Sequence, residues 1–510
     1  MSKLKSLFIA TALSAAALLP GAVWAKPLTV AVHNNMTGLD PTNINDTLSQ
    51  TSLRLVYQGL FGFDKDMTLI PLLAESFEAN ADATEFTIKL RKGIKFHDGT
   101  DFNAQAVKVN LERLANPDNK LSRRSLVSMV KEVQVIDDST VKLVLDSPFG
   151  AMIASLAHPG AMMISPAALE KFGKDIDRNP VGTGPFVFKN WSADTFEVVK
   201  NDNYWREGLP KVDGVTIRSI PESGARFAML QTGEVQFVPT FPPELVAPAE
   251  KNPQITVDIT DSIVERYVAM NNLKKPFDDI RVRHALNYAV DKNAFCKIVF
   301  NGNCKPADSI IPPLLNFHIT AGDYAFDVEK AKKLLAEAGL ADGFETELWT
   351  QSDTESIRAA QFLQQQLAQV NVKANVVPLE AGVAAERIWG VQKPEDAQVQ
   401  LYYGGWSAST GDADWGVRPL LYGESFPPAM FNVAYFKNDQ VDAAIKGAIS
   451  TADPAKRAEF YAEAQKVAWE QAPWLFLGVQ KNISAKRADL TGAYVLPDRG
   501  FLLEEAAFAE

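Results

Sequence analysis

The stretch "TEFTIKLRKGIKFHDGTDFNAQAVKVNLERLAN" (84–116) changes its periodicity once, and that change decides the class of fold. "FTIKLRKGIKF" alternates apolar and polar residues, the period of a strand with one wet face. "HDGT" follows, with Asp98-Gly99 as a turn dipeptide. Asn103 then stands as the N-cap of a helix that carries Ala106, Val107, Leu111 and Leu114 on one face.

The same grammar extends in both directions. "EVQVIDDSTVKLVL" (132–145) reads as a hairpin over an Asp-Asp-Ser turn. "PFDDIRVRHALNYAVDKNAF" (276–295) reads as a helix capped by Asp278, with acids in the first turn where the helix dipole favours them. "FDVEKAKKLLAEAGL" (326–340) has Asp327 as cap, Leu334 and Leu335 inward, and Gly339 as a left-handed stop. "PAKRAEFYAEAQKVAWEQAPW" (454–474) is a further amphipathic helix, and "AYVLPDRGFLLEEAAF" is extended chain that closes a domain. Strand-like and helix-like segments alternate without repeats, which predicts a mixed α/β architecture. A chain of 510 residues implies two or more lobes. "RNPVGTGPFVFKNW" (178–191), with two glycines and two prolines, fixes a chain path and is expected to cross between lobes.

The first residues read as an export leader. Lys3 and Lys5 precede an apolar run from Leu7 to Leu19, Pro20 breaks it, and Val23 and Ala25 supply the small residues of a cleavage site. The run is shorter than the roughly 20 residues of a lasting membrane anchor. No cysteine lies near the cut, so a lipoprotein is not expected; the mature chain is expected in the periplasm. The formal charge of −11, without a Lys/Arg stripe, argues against nucleic acid. Cys296 and Cys304 are the two cysteines, and export allows a disulfide between them.

Catalytic and metal motifs find little support. "GWSAS" (405–409) approaches the nucleophile elbow, but Ser409 stands where its second glycine belongs. "SMVK" (128–131) lacks the companion motifs of its class. The five histidines are scattered, with no i, i+4 pair, and no phosphate-binding glycine loop appears. No catalytic residue, metal or cofactor is therefore assigned. "GGWSASTGDADWGV" (404–417) fits binding better. Trp406 and Trp415 offer flat area, Ser407, Ser409 and Thr410 offer hydroxyls, and Asp412 and Asp414 offer charge for an ammonium.

"LDPTN" (39–43), "YQGLFGFDKD" (57–66), "LAESFEANADATEFTIKLRKGIKFHDGTDFNAQAVKVNLERL" (73–114), "NPVGTGPF" (179–186), "KKPFDDIRVRHALNYAVDK" (274–292), "AKKLLAEAGL" (331–340) and "GGWSASTGDADW" (404–415) together resemble family 5 extracytoplasmic solute-binding proteins. These are the receptors of peptide- and nickel-type ABC importers. The resemblance covers essentially the whole mature chain. It implies a two-lobed periplasmic binding protein fold with an extra subdomain in lobe I (type II, cluster C). Lobe I would comprise 26–52, 179–263 and 480–510, its subdomain 53–178, and lobe II 264–479, behind a signal peptide at 1–25. It further implies a monomeric, non-enzymatic receptor that closes on a small ligand and docks to permease subunits.

Within the family, "NINDTLSQ" (43–50), "ISPAALEKFGK" (164–174), "MLQTGEVQF" (229–237) and "LTGAYVLPDRGF" (490–501) resemble the glutathione-binding receptors. Peptide receptors of the family place an aspartate three residues after the loop tryptophan, for the peptide ammonium; here that place is Ser409. Glutathione presents an ammonium beside one carboxylate, and a second carboxylate on glycine. The residues expected around it are Asn35, Thr37, Arg266, Tyr267, Tyr403, Trp406, Ser407, Ser409, Asp412, Asp414 and Trp415. Arg266 is the first candidate for a carboxylate, and Asp412 or Asp414 for the ammonium. Alternatives are a dipeptide or oligopeptide receptor, or a secreted hydrolase using Asp412 and Asp414 or Ser407.

Overall fold

Two long strands, Ile255–Met270 and Trp474–Arg487, run antiparallel and tie the molecule together. They belong to a computed structural model that describes residues 27–509, so the leader lies outside the described residues. Residues 255–260 pair with 482–487, the register then breaks between Thr260 and Val264, and pairing resumes with 474–480. On one side of the break the sheet continues through Phe237–Val238, Leu28–Val32, Gly214–Ser219, Thr195–Lys200 and Phe186–Trp191. On the other it continues through Leu401–Ser407, Phe344–Gln351 and Val372–Leu379. One sheet thus serves two lobes, and both strands pass from one to the other.

The break is held by few bonds. The Ser262 hydroxyl donates to the Gln480 carbonyl, and Asp261 pairs with Lys305 at 3.0 Å. Ile263 N–H donates to the Pro497 carbonyl at 3.1 Å. This brings the C-terminal segment to the seam.

Each lobe has a core of its own, and a third core joins the subdomain to the second lobe. In the first lobe Leu28, Val30, Phe186, Phe196 and Val215 pack with Phe501 and Leu503 from the chain end. In the second, Val268, Met270, Leu286, Phe295, Leu363 and Leu475 cover one sheet face. A four-stranded antiparallel sheet, Ala74–Ala79, Glu85–Leu90, Thr140–Leu145 and Val130–Asp137, packs with helix Ala104–Ala115 as an added subdomain. Its core, including Ile88, Val107, Leu111 and Leu143, is continuous with Trp415, Tyr435 and Trp469 of the second lobe. Gly150 N–H donates to the Ile449 carbonyl across that contact at 2.7 Å.

Asn103 caps its helix by accepting from Ala106 N–H at 3.0 Å, and Asp327 and Gly339 (φ 80°) bound theirs as the sequence predicts. Three expectations need correction. The cap at 276–295 is Asp279, whose carboxylate accepts from Arg281 N–H at 2.8 Å; Asp278 lies one residue before that cap. That segment is also two helices, Ile280–Tyr288 and Lys292–Val299, the second capped by Asp291. The breaker-rich run 178–191 does not cross between lobes. Its Gly182 and Gly184 lie against the backbone of Val56, where an added Cβ would sit 2.2 and 2.6 Å from its atoms. Cys296 and Cys304 form the disulfide, with Cα atoms 5.0 Å apart. No helix of the described residues is long and apolar enough to cross a membrane.

Candidate functional site

Strand Leu401–Ser407 pairs along its whole length with 264–270. Its other edge pairs with Phe344–Gln351 only at Leu401 and Tyr402. The Tyr403 carbonyl accepts from the Thr350 hydroxyl at 3.5 Å, and beyond Tyr403 the ladder to that strand ends, which leaves backbone groups that an extended ligand can bond. Gly405 on this strand is exposed, and a Cβ there would lie 2.9 Å from the Arg266 side chain. Glycine therefore lets the arginine lie across the strand.

Arg266 is held from two directions. Its Nε and Nη2 donate to Gln480 Oε1 at 3.0 and 2.8 Å, and Nη2 donates to Glu355 at 2.5 Å. Burial alone would lower its pKa, but the Glu355 and Asp353 carboxylates act against it and the net shift is upward. The cation is fixed.

Arg499 approaches from the first lobe. Its backbone is left-handed (φ 70°), set by a tight turn in which Leu496 N–H donates to the Gly500 carbonyl at 2.6 Å. Asp498 braces that turn by pairing with Arg54 at 2.9 Å and accepting from Gly500 N–H at 2.7 Å. Among the described residues no acceptor bonds the Arg499 guanidinium. Burial, and then repulsion from Arg266, pull its pKa down to about 10, against Glu355, Tyr403 and Asp353. His33 also feels the charges of Arg499 and Asp353. The Tyr403 hydroxyl and Ser407 Oγ are buried and unpartnered among the described residues. Charges of both signs from two lobes thus meet at one seam, beside polar groups with bonds to spare.

The family model for bacterial extracellular solute-binding proteins, family 5 (middle), matches residues 68–427. The chain belongs to this family. It is 45% identical over 498 residues to the glutathione-binding protein GsiB of Pectobacterium atrosepticum, covering 97% of each chain. To the protein of that name in Escherichia coli O157:H7 it is 46% identical over 507 residues, 99% of this chain and 98% of the other. Among solved structures it superposes on the periplasmic binding protein DppA of Helicobacter pylori in complex with peptide STSA (TM-score 0.84, 24% identity, 96% and 99% of the chains). It also superposes on AgaA of A. tumefaciens R10 in complex with agropinic acid (TM-score 0.82, 28% identity, 95% and 99%). The two-lobed periplasmic binding protein fold is common to them.

In this solute-binding protein the tryptophan-flanked loop turns into helix Ala413–Leu421. Asp412 is its N-cap and accepts from Asp414 N–H at 2.9 Å. Both acids, expected to face an ammonium, are buried and held by arginines. Arg457 donates to Asp412 at 2.9 and 2.7 Å, and Arg418 donates to Asp414 at 2.8 and 2.7 Å. Trp415 is buried too, with its ring 6.2 Å from His158 of the subdomain, and its carbonyl accepts from Trp406 Nε1 at 2.6 Å. Trp406, Ser407 and Ser409 remain half-buried. Tyr267 is buried and stacks on Trp474, with ring centroids 4.0 Å apart. Asn35 and Thr37 are exposed in the first lobe, and the Thr37 hydroxyl donates to Asp46 at 2.5 Å. Asp353, Glu355 and Arg499 were not foreseen. The quoted "LPDRGF" held the only hint, a charged residue between aspartate and glycine in a turn.

Proposed function

We propose that this solute-binding protein is the exported receptor of an ABC importer, capturing glutathione between its lobes and handing it to the membrane permease. One observation carries the reading: Arg499 of the first lobe has no acceptor among the described residues, and it feels the charges of Arg266, Glu355 and Asp353 of the second. A ligand carboxylate there satisfies both arginines and removes their repulsion, so ligand stabilises the closed state over the open one. Glutathione supplies two carboxylates and an ammonium, and the relatives that share 45–46% of the sequence bear its name.

The roles follow from what each group has to spare. Arg499 and Arg266 bind carboxylate, the Tyr403 and Ser407 hydroxyls and Ser409 take hydrogen bonds, and Trp406 and Tyr267 shape the wall. Asn35 and Thr37 present the edge of the first lobe. Asp412, Asp414 and Trp415 hold the loop in shape instead of meeting ligand. The lobes divide at 26–52, 179–263 and 480–510 for lobe I, 53–178 for its subdomain and 264–479 for lobe II. The leader is removed after Ala25, and the mature protein works in the periplasm as a monomer.

A hydrolase reading finds less support. Ser407 Oγ has no base bonded to it among the described residues, and both loop acids are neutralised by arginine. Calorimetry with glutathione, glutathione disulfide and a set of di- and tripeptides, with product analysis of each mixture, tests the proposal. Glutathione binding 1:1 without products supports it, and at 100 times Kd the ligand adds about 2.7 kcal/mol of stability. Tighter binding of ordinary dipeptides moves the assignment to a peptide receptor, and turnover overturns it.

A further inference from the structure

Glu265 stands next to Arg266 on the same strand, so its side chain leaves the opposite face of the sheet. It is 3% exposed, and its Oε1 has no hydrogen-bond partner among the described residues. Beside it lies a cavity with room for about one water, lined by Tyr267, Trp406, Ala408, Gly416 and Trp474 among others. No lysine, arginine or histidine lines that cavity. The neighbouring charge that bears on Glu265 is Asp308, of the same sign.

A buried carboxylate without a cation is strongly unfavourable. Burial first, and Asp308 second, push the Glu265 carboxyl well above the usual carboxylate range, so the unliganded protein meets this cost by holding a proton. An acid of this kind, with aromatic rings beside it, is suited to a cation, because ring faces are electron-rich. Trp406, in the cavity wall, belongs to the half-buried part of the loop. An alkylammonium head is about the size of one water. The other acids of the region are committed or wet: Asp412, Asp414 and Glu355 pair with arginines, and Asp353 is exposed.

We propose that Glu265 is the acceptor for the ligand's ammonium group, in a one-water cavity walled by Tyr267, Trp406 and Trp474. This rests on the reading of the chain as a glutathione receptor and names the residue that replaces the missing loop aspartate at Ser409. On binding, Glu265 gives its proton to solvent and the carboxylate accepts N–H bonds from the ammonium. Charge is conserved at the site, with one proton released to buffer.

The test compares wild type and Glu265→Gln by calorimetry, with glutathione and with glutaryl-Cys-Gly, which lacks only the amine. Glu265→Gln is expected to weaken glutathione by about tenfold or more, the worth of one charge-assisted bond, and to change the desamino analogue by less than about twofold. The heat of glutathione binding to wild type should vary with the ionisation enthalpy of the buffer, and that of Glu265→Gln should not. Unchanged glutathione affinity, or equal loss for both ligands, overturns the assignment of Glu265 alone. A wild type that binds no glutathione overturns the receptor reading, and this inference with it.

Discussion

Arg457 grips Asp412 with two hydrogen bonds, at 2.9 and 2.7 Å, and neither side chain is more than 8% exposed. The pair ties helix Pro454–Gln471 to the start of helix Ala413–Leu421, so the loop between Trp406 and Trp415 is anchored from below. Removing one partner strands a buried guanidinium. Asp412→Asn should therefore lower unfolding free energy by about 3 kcal/mol in a denaturant titration. Its effect on glutathione affinity at a temperature where the variant is folded should be the smaller one. A variant of wild-type stability that fails to bind ligand would place Asp412 in the site.

Arg499 is the opposite case. With no protein acceptor to lose among the described residues, Arg499→Ala should leave the melting temperature nearly unchanged in the absence of ligand. Glutathione affinity should fall by about 1.5–3 kcal/mol, the worth of a charge-assisted bond, as read by calorimetry. Unaltered affinity would remove this residue from the ligand's carboxylate.

The disulfide joins the helix Lys292–Val299 to the strand Cys304–Pro306 at the edge of the second lobe. Replacing both Cys296 and Cys304 by serine reopens the short loop and should cost about 2–3 kcal/mol in stability. Ligand affinity should change by less than stability, since neither cysteine bonds the seam cluster directly, although Cys304 lies opposite Gln480, which holds Arg266. A matching loss of affinity would tie the bridge to the site.

His158 predicts a pH dependence. Burial, then the charges of Arg123 and Arg54, hold its imidazole well below 6.5. Its Nδ1 accepts the Gly160 N–H at 2.9 Å, which requires that nitrogen to carry no proton. The unfolded chain takes up a proton here as pH falls through 6.5, and the folded chain does not. The stability at this position is complete above that pH and is lost progressively below it. The denaturation midpoint should fall between about pH 7.5 and pH 5.5, and fall less in His158→Asn, whose amide oxygen accepts the same bond without titrating. Equal slopes in the two proteins would show that other groups carry the dependence.

Local chemistry was the legible part of this chain. Asn103, Asp327 and Gly339 do what their residue types dictate within one turn of themselves, so the sequence shows their roles. Asp278 and Asp279 mark the limit of that resolution: adjacent aspartates are equal candidates until the φ/ψ of each is known, and the second one caps. The seam shows a different limit. Whether Asp412 is free or spent depends on Arg457 in another helix, and whether Arg499 matters depends on its lacking such a partner. Glu265 looks like any polar residue of an alternating strand until its cavity and the absence of a cation there are seen. The stretch 404–417 reads as one loop in the sequence, yet Gly404, Gly405 and Trp406 belong to strand Leu401–Ser407 and Trp415 and Gly416 to helix Ala413–Leu421. Which of its side chains remain available to a ligand is set by tertiary contacts.

A crystal structure of the protein saturated with glutathione is the most direct measurement. The account predicts one molecule enclosed at the seam, a carboxylate bonded to Arg499 and Arg266, and its main chain along the open edge beyond Tyr403. Glutathione lying outside the seam, with the Arg499 guanidinium still unbonded, would contradict it.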